Sequence, residues 1–257
     1  MAIHSRFTLS RNFNQGELEK VKLKQESFRV LFFSTLPDDE TTRLSVELEK
    51  QEVLKALMPF IREGKVILEI PNDGRIDSFT KNIKIFKPHL VFMSGHSIFK
   101  DGVGSFSFAN ERGYKVSIDE DTLIDSFIDV DVSCVVFSSC QSAQFKADDI
   151  YSGLANQLFL AGIPNVIGMG DSITDGAGIL FASTFIKSLL DQESITKSLQ
   201  QSREAIDKEY KDENAFYPML LSSDTMDTNF IVDWDFTPTP HINSAISLET
   251  LPQTHFS

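Results

Sequence analysis

The chain has 257 residues, enough to bury one substantial core with a short appendage, and its 41% hydrophobic and 24% charged content is ordinary for a globular domain. A formal net charge of −13 argues against nucleic acid as a direct partner, because phosphate binding needs clustered Lys and Arg. No run of about 18 apolar residues occurs, and the polar opening Met1–Arg11 lacks the apolar core of a secretory signal, so no membrane span and a cytoplasmic location are expected.

Residues 1–27, rich in Lys, Glu and Gln, read as an N-terminal extension that once joined something upstream. Phe28–Ser34 is the first strand. Leu36–Asp39 is a turn, and Thr42–Ile61 follows a helical period with Leu44, Leu48, Val53, Leu54 and Leu57 on one face. Lys65–Ile70 is a second strand closed by the turn Pro71-Asn72-Asp73-Gly74. Ile76, Phe79, Ile83 and Phe86 carry the helix Ile76–Phe86. The run Pro88–His96 then ends in Ser94-Gly95-His96, and Ile98–Tyr114, with Gly102, Gly104 and Gly113, reads as a β-hairpin beside His96.

Asp119 is placed to cap a helix through Ile128. The apolar run from Val132 ends at Ser138-Ser139-Cys140. Ile150–Ala161 is a helix stopped by Gly162, Ile163–Met169 a strand, and Thr174 or Asp175 opens a helix through Leu190. Ser194–Glu209 is a further helix and Phe216–Leu221 a last strand. From Thr237 onward Pro, Ser, Thr and Asn dominate, as in a loosely packed tail or linker. Strands alternating with helices imply one α/β domain over 28–222, its mostly parallel sheet covered on both faces, with residues 223–257 as the tail.

Runs of β-branched and aromatic residues read as strands buried on both faces, and functional side chains gather beyond the carboxyl ends of such strands. His96 and Cys140 both fall there, as general base and thiol nucleophile. Cys134 and Cys140 are the two cysteines of the chain, six residues apart on one predicted strand and too far to pair, as free thiols in a reducing compartment. Cys134 sits inside the apolar run and reads as structural, whereas a thiol at a strand end in a polar setting can ionise. His4, His241 and His255 lie in the predicted tails, and His89 precedes a strand. Neither Cys-x-x-Cys nor His-x-x-x-His spacing occurs, so no zinc site and no cofactor are expected. A nucleotide-binding reading fails for want of a glycine-rich loop in Ser34-Thr35-Leu36-Pro37-Asp38.

Strand-Ser-Gly-His, then hairpin and helix, then strand-Ser-Ser-Cys-Gln-Ser-Ala resembles the CHAT peptidases, relatives of caspases and separase. The resemblance continues through Ala161-Gly162-Ile163-Pro164-Asn165-Val166-Ile167-Gly168-Met169, Thr174-Asp175-Gly176-Ala177, and a closing helix with Ser198, Leu199, Arg203 and Ala205. It covers about Phe28 to Leu221. It implies a caspase-like three-layer sandwich: a mostly parallel six-stranded sheet with helices on both faces, plus a small β-hairpin.

It also implies a cysteine endopeptidase with Cys140 as nucleophile and His96 as base. The oxyanion would be held by the backbone N–H groups of Ser97 and Cys140. Ser97 stands where the family usually has glycine. Ser138 stands two residues before the cysteine, where metacaspases and gingipains carry an acid. Asp175 matches an acidic position shared with separase and, with Asp171 behind it, is a candidate to face a substrate side chain. Further expectations are a protein substrate, latency relieved by a partner or adjoining domain, and a setting in bacterial defence or signalling. The loops that would close over the site are Phe99–Gly113 and Gln144–Asp149. The competing reading, motivated by Ser97, is a catalytically weak caspase-like module used for binding.

Overall fold

The computed structural model describes residues 27–35, 37, 38, 43–139, 142–144, 153–223 and 232. Most of the N-terminal extension, Cys140, nearly all of the Gln144–Asp149 loop and the tail beyond 223 apart from Val232 therefore lie outside the described residues.

Five strands run parallel and one antiparallel in a single sheet. In chain order they are β1 (Phe28–Ser34), β2 (Val66–Glu69), β3 (Leu90–Ser94), β7 (Cys134–Ser138), β8 (Asn165–Met169) and β9 (Pro218–Ser222), arranged β2-β1-β3-β7-β8-β9. β9 pairs antiparallel with β8. Between β3 and β7 the chain makes a separate antiparallel sheet of β4 (Ser97–Lys100), β5 (Val103–Ala109) and β6 (Lys115–Asp119). The expected hairpin is thus a three-stranded sheet: Val116 and Ile118 alternate with Lys115 and Ser117, and that period adds a strand beyond Tyr114.

The alternation of the strands divides the core in two. Phe28, Val30, Phe32, Leu90, Phe92, Cys134 and Val136 face one layer, made by α1 (Arg43–Arg62), α5 (Asp175–Leu190) and α6 (Ile195–Tyr210). Leu31, Phe33, Val91, Met93, Val135 and Phe137 face the other, made by α2 (Ile76–Phe86), α3 (Glu120–Asp125), α4 (Leu154–Leu160) and the aromatic face of the small sheet. Phe33, Phe79, Phe106, Phe108, Phe127 and Phe137 form a chain of tilted and edge-to-face rings that fastens the small sheet to the large one. This is the three-layer α/β architecture with a mostly parallel six-stranded sheet that the sequence predicts.

Caps fall where the residue types demand. Asp119 accepts from the Thr122 amide at 2.9 Å to start α3, which ends at Asp125, short of the expected Ile128. Ser194 accepts from the Lys197 amide at 3.2 Å to start α6. At the far side of that helix Arg203 donates to the Pro218 carbonyl at 3.0 Å, tying the helix to the start of β9. Cys134 is fully buried at the start of β7, and burial pushes its thiol well above the ordinary range, in keeping with a structural role. No described helix is long and apolar enough to cross a membrane.

Candidate active site

β1, β3 and β7 end side by side in one register: Ser34 lies opposite Ser94, and Ser94 opposite Ser138. Small hydroxyl residues end all three strands and leave room above the sheet. From the end of β3 the chain crosses to β4 through Gly95 and His96. A Cβ at Gly95 would come within 3.1 Å of the Phe106 ring, so the small sheet packs against the peptide before His96 as only glycine permits. His96 is half-buried and lines a pocket with Gly95, Ser138 and Ser139, closed on its other side by Val46 and Glu49 of α1 and by Thr174, Asp175 and Gly178 at the start of α5.

Ser97 opens β4. The Ser107 amide donates to the His96 carbonyl at 2.8 Å, which makes Ser97–Phe106 a non-hydrogen-bonded pair and directs the Ser97 amide away from β5. The left-handed positions of the described chain do not include Ser97, so serine here meets no backbone demand for glycine. Its buried hydroxyl donates to Ser139 Oγ at 3.0 Å, joining the residue after the histidine to the residue before Cys140.

The segments flanking Cys140 in sequence are anchored. Ser142 Oγ donates to the Ser139 carbonyl at 3.0 Å and accepts from the Met169 amide at 2.8 Å, bridging the ends of β7 and β8. The Ala143 amide donates to the Met169 carbonyl at 2.9 Å. A Cβ at Gly168 would meet Ser142 Oγ and Ala143 Cβ at 3.0 Å, so glycine lets this segment lie directly on β8. On the opposite flank of the small sheet, Glu120 accepts from the Gly104 amide at 2.7 Å and holds α3 against β5.

Of the residues singled out in the sequence, His96, Ser138 and Asp175 line the one pocket, and Ser97 is tied to its wall through Ser139. Cys140 lies outside the described residues. Asp171 does not line the pocket: it is exposed and accepts from the Ser172 amide at 2.7 Å. Asp175 is the first residue of α5, while Thr174 is the N-cap.

Glu49 escapes sequence reasoning altogether. It is only 5% exposed, on the buried stripe of α1, and Ser94 Oγ donates to its Oε2. Its Oε1 is buried with no hydrogen-bond partner among the described residues. Burial raises its pKa from 4.5 to about 7; Asp175 adds to the shift by repulsion, while the Ser138 and Ser94 hydroxyls oppose it. Ser94 and Ser138 continue the same face as Phe92 and Val136, which brings both strand ends under α1. The signal in the sequence is the acid at the i−4 position to Val53 and i+3 to Val46, inside an apolar stripe.

A caspase-like α/β fold, with a histidine at the carboxyl end of the third strand and a pocket beside it, defines the class. A family model for the CHAT domain matches residues 6–241, and the chain belongs to the CHAT family. Among curated proteins none matches it in sequence. The solved structures it resembles include separase from Saccharomyces cerevisiae in complex with securin, with a TM-score of 0.50, 15% identity and coverage of 78% of this chain but only 12% of that one. Caspase-1 from Spodoptera frugiperda follows with a TM-score of 0.47 and 13% identity over 82% of this chain and 90% of that one. Raptor from Chaetomium thermophilum has a TM-score of 0.42 and 8% identity over 71% and 19% of the two chains. The separase likeness is one of fold, and this chain spans about an eighth of that protein's length.

Proposed function

We propose that the chain is a cysteine endopeptidase in which Cys140 and His96 form a catalytic dyad, in a domain spanning about 28–222. The observation that supports this best is that His96 and Ser139, the residue before Cys140, line one pocket at the carboxyl ends of the adjacent parallel strands β3 and β7. Neighbouring strands of a sheet lie about 4.8 Å apart, a spacing suited to a base on one strand end serving a nucleophile carried beyond the next.

In this mechanism the His96 imidazole takes the thiol proton and the Cys140 thiolate attacks the scissile carbonyl carbon. The resulting oxyanion is held by the backbone N–H groups of Ser97 and Cys140; the Ser97 amide, turned away from β5, suits that task. Collapse breaks the C–N bond, the departing amine takes the proton from His96, and a thioester remains. Water, deprotonated by His96, then attacks the thioester and releases the carboxylate and the thiol. The hydroxyl link from Ser97 to Ser139 keeps the donor strand and the nucleophile-bearing segment in register, so serine in the usual glycine position is compatible with catalysis. The substrate is a protein, and the enzyme is latent until a partner or adjoining domain orders the loops around the site. The separase structure it resembles is itself a complex with another protein, securin. A role in bacterial defence or signalling follows from the family resemblance.

The test is covalent labelling of the whole chain by a peptidyl chloromethyl ketone, with and without cell extract to supply an activator. An adduct on Cys140 that is lost in His96→Ala is expected, with Cys134 left unmodified because it is buried and its thiolate is disfavoured. No adduct on Cys140 in any state would overturn the proposal and leave the binding-module reading.

A further inference from the structure

The pocket beside His96 holds two acids and no base of the Lys or Arg type among its lining residues. Glu49 is the unusual one. A carboxyl group more than nine-tenths buried, with one oxygen held by Ser94 and the other without a partner among the described residues, is costly to keep unless something completes it. The stripe of α1 on which it sits is otherwise Val46, Val53 and Leu57, where a leucine or methionine would serve packing better. Asp175 stands across the same pocket at the start of α5 and repels it. Two carboxylates facing one small cavity favour a cationic occupant over a neutral or acidic one.

We infer that Glu49, assisted by Asp175, makes this pocket the receptor for a positively charged side chain, arginine or lysine, on the amino side of the bond to be cleaved. The inference rests on the peptidase reading for its connection to a scissile bond. His96 and Ser139 line the pocket, so a residue whose carbonyl is under attack there projects its side chain between α1 and α5. A guanidinium supplies N–H donors in a planar fork, which satisfies the open oxygen of Glu49 and reaches Asp175 as well. An ammonium gives the same charge with less geometric match. An apolar side chain leaves Glu49 Oε1 unpaired, and an acidic one adds a third negative charge. Ser138 supplies a hydroxyl toward Glu49. The net charge of −13 acts in the same sense at long range, drawing basic segments toward the protein.

The experiment has two arms. In the first, benzamidine and its neutral analogue benzamide are titrated calorimetrically into the full chain carrying Cys140→Ala, with and without Glu49→Gln or Asp175→Asn. Saturable benzamidine binding is expected, weakened about 10-fold or more by Glu49→Gln and less by Asp175→Asn, with benzamide not bound. Because Glu49 is buried, Glu49→Asp serves as a second variant: it keeps the charge and retains more of the binding than Glu49→Gln does. In the second arm, peptides differing only in the residue before the scissile bond are compared by kcat/KM. Arginine is expected to exceed glutamine, leucine and glutamate by about 10-fold or more, and Glu49→Gln to narrow that ratio while Cys140 still reacts with iodoacetamide.

Benzamidine binding that is absent, or unchanged in both Glu49→Gln and Asp175→Asn, overturns the inference. So does wild-type preference for an apolar or acidic residue. Glu49-dependent benzamidine binding with no peptide cleaved and Cys140 never labelled overturns the peptidase reading instead, leaving the cation pocket in place.

Discussion

Cys140→Ala is expected to abolish peptide hydrolysis, with kcat/KM falling by about 10⁴-fold or more, because the thiol is the group that forms the acyl intermediate in the proposed dyad. His96→Ala is expected to cost roughly 10²–10⁴-fold, the range for losing a positioned general base. The two effects should not add: once the thiol is gone, the histidine has no proton to take, so the double variant should match Cys140→Ala alone. That non-additivity separates a dyad from two independently important residues. Cleavage of a peptide substrate by the purified, activated chain measures all three variants. Additive losses, or a His96→Ala enzyme as fast as wild type, would contradict the assignment. Since His96 is half-buried at the pocket rather than in the core, its replacement should leave folding intact, and an unchanged denaturation midpoint would verify that the loss is chemical.

Glu49→Gln is expected to make the protein more stable at pH 8 by up to about 3 kcal/mol, while changing it little near pH 4. The sign follows from the raised pKa of Glu49, about 7 in the fold against 4.5 ordinarily. Between those values the folded protein keeps a proton that the unfolded chain has released. The stability contributed by this group is therefore fully present below about 4.5 and is lost as pH rises through about 7. Glutamine holds a similar shape, carries no proton to lose, and so lacks this slope. Urea unfolding of both forms at pH 4, 6 and 8 measures the difference, and parallel pH profiles for the two proteins would contradict it. A residue that costs this much at neutral pH is not there to hold the fold together, which is the link between its energetics and the cation pocket.

The strands that carry the site were legible because each is buried on both faces. Leu90–Ser94 and Cys134–Ser138 are continuous apolar runs ending in serine, Phe28–Ser34 is one broken only by Arg29, and the sheet places them together. The direction of β9 was harder to read. A single crossover helix returns the chain for a parallel strand, but α5 and α6 are two, and an even number of passes brings the chain back to the end it left. The expected helix Ile150–Ala161 begins in residues outside the described chain, and its observed part is Leu154–Leu160.

The orientation of α1 shows why Glu49 was missed. Its periodicity places Leu44 and Leu48 inward, yet Leu48 is 42% exposed, and the buried stripe is Val46, Glu49, Val53 and Leu57. A pattern that counts every acid as solvent-facing rotates the helix by a residue when a buried carboxylate lies on the stripe. Ser97, by contrast, was visible in the sequence as a departure from glycine, but its hydroxyl contact to Ser139 depends on the register of the small sheet against the large one. Local pattern carries no information about that register.

In the proposed dyad Cys140 and His96 work on one carbonyl. A crystal structure of the chain covalently modified by a peptidyl chloromethyl ketone tests it most directly. Expected are a bond from Cys140 Sγ to the inhibitor, the His96 ring within hydrogen-bonding distance of the reacting atoms, and the inhibitor's carbonyl oxygen facing the Ser97 amide. Cys140 and His96 pointing to opposite faces of the sheet, or an adduct formed elsewhere, would contradict it.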